Sequence, residues 1–373
     1  MKPSDLFRST DDVAYRPILR PRRGELTALH HLDPATAHLV TPIIEMSAPS
    51  RDAPHETVDL LHLIRESPPR TGTLAVDLGD VPDSGDPLCS PPLDLAERLG
   101  DERLTLLPVL RAGDSDRRLA EHGLAARMHL GRAVLRLQPH TEATGPAAGA
   151  VTERVLRGSG LEPDRIDLVI DLAAMACRDR ADRVEDQAHR VVRWARTRGF
   201  RSVSVAAGAM PPNLDDLPTD EPVRVRRHDA ALWARLAEPG VGYADYGVTS
   251  PVRRVGVHHR QLPTLRYTTD RDWWIYRWAR RGGRGDDRCH DLCRTLVTSP
   301  QWPAAGSRFS WGDAEIARRA RAAPGAGTAS SWFAWSTSHH IAHVLRTLRG
   351  PVHPDPPARR DTRPPRARRP PGP

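Results

Sequence analysis

Lysine is nearly absent from this chain: Lys2 is the one lysine among 55 basic residues, against 47 acidic ones. So strong an arginine bias reflects genome composition as readily as selection. The net charge of +8 is therefore weak evidence, by itself, for a nucleic-acid partner. Cysteine is scarce too, with four residues scattered at Cys89, Cys177, Cys289 and Cys293, which excludes a disulfide framework. No apolar run approaches the roughly 18 residues a membrane span requires, and the opening residues carry no apolar signal segment. These absences read as a cytoplasmic protein of a reducing compartment, with no membrane partner. Missing as well are a Gly-x-Ser-x-Gly elbow, a Walker A loop and a Gly-x-Gly-x-x-Gly after the first strand. Their absence argues against an ordinary hydrolase nucleophile, a P-loop ATPase and a dinucleotide sheet.

What is present is unevenly placed. Residues 1–250 hold 32 basic and 38 acidic side chains, whereas residues 251–373 hold 23 and 9, a balance of +14. The last 23 residues contain nine prolines and six arginines without apolar periodicity, so 351–373 reads as a disordered Arg/Pro tail. Seven of the nine tryptophans fall between Trp273 and Trp335, which marks 251–350 as a basic, α-helical extension packed on what precedes it.

Within 1–250 short apolar runs recur: Tyr15–Arg20, Val40–Met46, Thr73–Gly79, Leu104–Arg111, Arg132–Gln138, Ile166–Ala173, Ser202–Met210 and Gly242–Val248. They lack polar alternation, as strands buried on both faces do. Amphipathic stretches lie between them, clearest over Asp179–Arg198, where Val184, Ala188, Val191, Val192 and Ala195 form one face. Eight strand-plus-crossover units predict a (β/α)8 barrel; the alternative is a doubly wound open parallel sheet.

An ordered series of short motifs runs along the chain. It comprises Tyr15-x-Pro17-Ile18-Leu19 with Gly24-Glu25, Pro42-Ile43-Ile44-Glu45, Ala206-Ala207-Gly208 before Pro211 and Leu214, and Asp245-Tyr246-Gly247. Arg266-Tyr267-Thr268, Phe309-Ser310-Trp311-Gly312-Asp313, and Trp332 leading to His339-His340 complete it. Together these resemble the beta protein family, named for a T-even bacteriophage protein, over roughly residues 13–345. The resemblance implies relatedness without an established reaction, and its phage and bacterial distribution implies a part in phage–host conflict. The family usually has lysine near Arg20 and Arg22 and asparagine at Ser338. Arginine keeps the charge but cannot supply a neutral amine.

In a parallel barrel the site lies at the carboxyl ends of the strands, where this sequence repeatedly places charge. Arg20 and Arg22 follow the first strand, Glu45 the second, Asp77 the third and Arg111 the fourth. Arg136 and Asp171 end the fifth and sixth, and Asp245 sits in the eighth. Charges among Val, Ile and Leu must either pair with one another or face a ligand. Glu45, Asp77, Asp171 and Asp245 are accordingly candidate acid/base groups. The first three could also hold Mg²⁺ through oxygen ligands. Arg20, Arg22, Arg136 and Arg266 suit bidentate contacts to an anionic, phosphorylated ligand, with Tyr267 and His339 or His340 closing the site. A hydrolase or phosphodiesterase would fit this set.

The alternative is a non-catalytic protein that binds nucleic acid or a phage component. Between Arg260 and Arg288, arginines alternate with Tyr267, Trp273, Trp274, Tyr276 and Trp278, as a strand-tracking surface would. A helix burying its tryptophans at Trp274 and Trp278 explains the same residues. Ser310 reads as a helix N-cap with Asp313 in its first turn. Cys289 and Cys293 read as core thiols, and His258-His259 as surface residues.

Overall fold

The computed structural model describes residues 15–47, 56–86, 88–138, 146–175, 177–236, 240–252, 262–280, 288–321 and 324–350. The tail from 351 and His258-His259 lie outside the described residues. Among the described residues no helix is long and apolar enough to cross a membrane.

Eight of the strands form a closed parallel ring: β1 (Tyr15–Leu19), β2 (Ile43–Glu45), β3 (Thr73–Asp77), β4 (Thr105–Arg111), β5 (Ala133–Leu137), β6 (Ile166–Ala174), β7 (Ser202–Gly208) and, after β8 (Pro222–Arg226), β9 (Val241–Asp245). β1 pairs with β2 on one side and with β9 on the other, so the sheet has no edge. That closure excludes the open-sheet alternative. Six of the eight lie within the apolar runs that predict them, while β6 ends one residue past its run and β9 begins one residue before its own.

Side chains alternate strictly between the interior of the ring and the helical layer. Inside, Ile18, Ile43, Ala75, Leu107, Val109, Val134, Val169, Ala206 and Ala244 fill the middle as one apolar plug. Outside, Leu19, Ile44, Val76, Leu110, Leu135 and Val205 meet the surrounding helices in the main core. Charged layers close the plug at both ends. At the amino end Arg16 donates to Asp167 at 3.0 Å and to Ser204 at 2.7 Å, and Arg132 reaches the same Asp167 at 2.8 Å.

The extension departs from the expected helical run. β10 (Thr264–Thr268) and β11 (Asp272–Arg277) form an antiparallel hairpin, and β8 adds to its edge as a third strand. The aromatics of this stretch therefore follow a period of two, and Trp273, Ile275 and Tyr276 are buried. Helices follow at Arg288–Val297, Trp311–Ala320 and Ala329–Arg349. Cys289 and Cys293 sit buried inside this unit as free thiols, their sulfurs 3.9 Å apart.

Two glycines let helices close on Ala329–Arg349. A Cβ at Gly312 would stand 2.2 Å from the Trp335 carbonyl oxygen, and one at Gly24 would stand 3.0 Å from that of Ser330. Both glycines belong to the motif series, and close approach of backbones accounts for them.

Candidate functional site at the carboxyl mouth of the barrel

The parallel ring brings side chains distant in sequence to one level. Ile43 aligns with Ala75 and Glu45 with Asp77, while Arg111 aligns with Arg136. Glu45, Asp77, Arg111, Arg136 and Asp171 thus form an inner ring around the mouth, joined by Tyr246 just beyond β9.

Arg136 is its centre. Its Nη1 donates to Glu45 Oε1 at 2.9 Å and to Asp77 Oδ2 at 2.8 Å. Its Nε and Nη2 donate to Asp171 Oδ2 at 2.9 and 2.7 Å, and Nη2 also reaches the Tyr246 hydroxyl at 2.8 Å. All five N–H donors of a guanidinium are engaged, which leaves none for an incoming anion. Arg111 closes on Asp77 through Nη2 at 2.6 Å. Asp171 further accepts from Gln138 at 2.9 Å and from the Tyr246 hydroxyl at 2.7 Å.

Burial works against ionised Asp77 and Asp171. For Asp77 the adjoining Arg111 and Arg136 overcome it and hold the carboxyl well below the usual carboxylate range. For Asp171, Arg136, Gln138 and Tyr246 do the same. Both are fixed carboxylates at neutral pH with occupied lone pairs, which makes them poor proton carriers. Arg136 lies between the three carboxylates, where its charge opposes a divalent cation. Among the described residues no group of three or more His, Cys, Asp or Glu side chains is placed to hold a metal ion.

Backbone strain marks the same place. β6 shifts register between Asp171 and Ala174, and Ala173 adopts φ +56°, a left-handed conformation uncommon for a residue with a side chain. Its N–H donates to Asp171 Oδ1 at 2.9 Å, so the bulge fixes the carboxylate's aim.

Above the inner ring, at the end of β1, lies a lip of different character. The register of Ile18 with Ile43 sets Arg20 beside Glu45, and Arg20 Nη2 donates to the Ser250 carbonyl at 3.0 Å. Arg22 is exposed at the start of helix Arg23–His30, a helix end with no side-chain cap. Arg266, from β10, faces them half-buried, with its guanidinium 5.1 Å above the Phe333 ring. Its Nε is out of solvent and without a partner. Burial, then Arg22 and Arg20, lower its pKa to about 10 against the pull of Glu25. Among the described residues no carboxylate pairs with Arg266, which is unusual for so enclosed a charge.

Glu25 lies beneath the lip. It is wholly buried, its Oε1 accepts a 3.4 Å hydrogen bond from the Arg20 N–H, and Oε2 has no partner. Burial raises its carboxyl to about 7 even though Arg22 and Arg20 pull it down.

The remaining expected residues sit elsewhere. Asp245 points outward from β9, away from the mouth. It accepts from the Tyr15 hydroxyl at 2.6 Å and pairs with His340 Nε2 at 2.8 Å, while His340 Nδ1 meets the Thr268 hydroxyl at 2.9 Å. The connectivity is that of a Thr-His-Asp triad, but Thr268, His340 and Asp245 are at most 1% exposed, beyond reach of a substrate. His339 lies between Asp313, at 2.9 Å, and the Thr268 carbonyl, at 2.9 Å, and Tyr267 donates to Asp313 at 2.6 Å. Ser310 caps helix Trp311–Ala320 and also donates to Asp313 at 2.6 Å. His340 thus welds the extension to the barrel through Asp245, and the Asp313 cluster holds the extension itself together. Tyr267, His339 and His340 do not reach the mouth.

Parity separates Asp245 from its neighbour. Gly242 and Ala244 mark the inward positions of β9, so Tyr246 continues them while Asp245 cannot. That pattern was available in the sequence, as was Arg111 at the end of its strand. Glu25 entered only through the motif series, and Gln138 gave no comparable signal. The aromatics expected to stack bases are mainly interior: Tyr267, Trp273 and Tyr276 are no more than 1% exposed.

A closed (β/α)8 ring with its polar groups gathered at the carboxyl mouth, covered on one flank by a strand-and-helix extension, defines the class of this protein. Within that class the chain belongs to the Beta protein family, whose model matches residues 15–346. No curated protein matches it. Among solved structures it is similar to a fungal β-1,4-galactanase (9% identity, TM-score 0.40, covering 63% of this chain and 90% of that one). It is likewise similar to triosephosphate isomerase from Bartonella henselae (13% identity, TM-score 0.34, covering 64% and 95%). Likenesses so distant assign no chemistry to this chain.

Proposed function

We propose that this protein binds a small molecule bearing an oxyanion, such as a phosphoryl group, at the lip of the barrel mouth. Arg266, Arg22 and Arg20 supply the charge. The carrying observation is the half-buried Arg266 guanidinium, which makes no ion pair among the described residues and whose Nε has no hydrogen-bond partner. Arg111 and Arg136, one layer below, are both held by carboxylates. An enclosed charge without a counter-ion costs stability, and a ligand anion supplies the missing partner.

The inner ring acts as the floor of this site. Its paired carboxylates position Arg136 and Tyr246, keep the mouth rigid and transfer no proton. It is therefore a binding function, with hydrolysis left out.

Isothermal titration with inorganic phosphate at pH 6 tests it. One saturable site is expected in the intact chain, weakened at least about tenfold in Arg266→Met, the loss of one charge-assisted contact. Equal affinities in the two proteins, or no binding to either, would overturn the reading.

A further inference from the structure

The inner ring is unevenly covered. The side chains of Arg136, Asp77 and Asp171 are at most 1% exposed, whereas those of Arg111 and Glu45 keep 15% and 11% of their surface in solvent. Arg111 follows Leu107 and Val109 on the inward parity of β4, so its side chain enters the mouth and not the helical layer. Exposed Gly79 lies against it, where a Cβ would stand 3.0 Å from Arg111 Cγ and 3.1 Å from Asp77 Oδ1. The glycine leaves open a face of Arg111 that a side chain would cover.

Arg111 uses one edge of its guanidinium to hold the ring. Its Nε donates to both oxygens of Asp77, at 3.1 and 3.0 Å, and its Nη2 lies 2.6 Å from Asp77 Oδ2 and 3.9 Å from Glu45 Oε1. Nη1 makes no hydrogen bond among the described residues and, unlike Arg266 Nε, stays open to solvent. A charged donor is thus available on the floor of the mouth. The lip is its neighbour, because the β1–β2 register sets Arg20 beside Glu45 and Arg20 acts electrostatically on Arg266.

Charge decides what can meet that donor. The lip gathers Arg20, Arg22 and Arg266, while the floor sets Glu45, Asp77 and Asp171 against Arg111 and Arg136, an excess of one negative charge. Asp114, which accepts from the Arg111 N–H at 2.7 Å, adds a further acid. A second anionic group on the ligand would be repelled there, and an ammonium would bring Arg111 a like charge and no acceptor. A hydroxyl suits both neighbours, since its oxygen accepts from Nη1 and its O–H donates to the Glu45 carboxylate. We infer that the anion bound at the lip is carried on a hydroxylated body, as in a sugar or polyol phosphate, and that Arg111 and Glu45 hold one of its hydroxyls. The inference rests on the anion-binding reading above and names the ligand class of that same site. Arg111 and Glu45 become its specificity-determining residues, and no bond in the ligand breaks.

Titration calorimetry on the full chain tests it by comparing ribose 5-phosphate with pentyl phosphate, which matches it in carbon number and anionic group but lacks hydroxyls. Ribose 5-phosphate should bind at least about tenfold more tightly, the effect of one charge-assisted hydrogen bond. In Arg111→Met the two affinities should come within about twofold of each other. Equal affinities in the intact chain, or a preference kept in Arg111→Met, would overturn the floor contact and leave the lip site standing. Tighter binding of 5-aminopentyl phosphate than of ribose 5-phosphate would overturn the hydroxyl in favour of an ammonium. Absence of binding by inorganic phosphate and by all three esters would remove the lip site, and the inference with it. The comparison in the intact chain needs no variant, so it decides even if Arg111→Met folds poorly.

Discussion

Two arginines of one barrel mouth divide its work. Arg136, in the inner ring, reaches three carboxylates and a tyrosine hydroxyl and has no donor left. Arg266, in the lip, meets an aromatic face, feels two other arginines and the buried Glu25 carboxyl, and makes no ion pair among the described residues. The first arrangement resembles the layer at the opposite end of the ring, where Arg16, Arg132 and Arg201 converge on Asp167. Satisfied charges of that kind close a barrel. An unsatisfied one at its functional end waits for a partner, and the contrast separates groups that hold the fold from groups placed to meet a ligand.

The contrast can be broken by substitution. Arg136→Met should do the most damage, since it leaves Glu45, Asp77 and Asp171 clustered without a counter-ion. A loss of about 3–5 kcal/mol in urea unfolding is expected, and a loss below about 1 kcal/mol would contradict the pairing. Arg136→Lys should not restore stability, because an ammonium offers three donors to a site built for five.

Glu25→Gln comes next. The carboxyl is raised from 4.5 to about 7 by burial, so the folded protein binds a proton that the unfolded chain has released. Its contribution to stability is therefore full below pH 4.5 and is lost as pH rises toward 7. It amounts to about 3 kcal/mol. Asp229 of helix His228–Leu236 is likewise buried, unpartnered and raised to about 7, and it titrates in the same window. Unfolding free energies at pH 5 and pH 8 should converge by about 2.5 kcal/mol in Glu25→Gln, most of that amount; an unaltered difference would exclude the assignment.

His340→Ala should cost about 2 kcal/mol through the stranded Asp245 and Thr268, and should leave sulfate affinity unchanged. A large drop in affinity would place the weld in the site after all. Smallest is Arg266→Met, where removal of an unpaired charge should leave stability within about 1 kcal/mol of the parent, in the stabilising direction. The same variant should bind anions poorly. A destabilised Arg266→Met would point to an internal partner for this side chain.

The ring itself was legible in the sequence. Strands such as Ile166–Ala174 and Ser202–Gly208 are buried on both faces, so their composition alone betrays them. The extension was not. Trp274 and Trp278 stand four residues apart, a helical spacing that belongs by accident to the middle of β11 and the residue just past its end. The half-exposed β8, Pro222–Arg226, has two arginines and a proline among its five residues and is too polar to announce a strand. In the mouth the charged residues could be named, but their pairing could not. Arg136 joins Asp171 and Glu45 across 35 and 91 positions, and such contacts exist only once the ring has closed. Asp245 and Tyr246 show the other limit, where a single step of strand parity decides between the weld and the mouth.

Thermal unfolding of the intact chain and of Arg266→Met, with sulfate raised at constant ionic strength, probes the division between the two arginines most directly. Sulfate also stabilises proteins by exclusion from their surface, but that effect acts alike on both. The account predicts a midpoint that climbs further with sulfate in the intact chain than in Arg266→Met, by the increment a bound ligand adds. Parallel curves for the two proteins would contradict it.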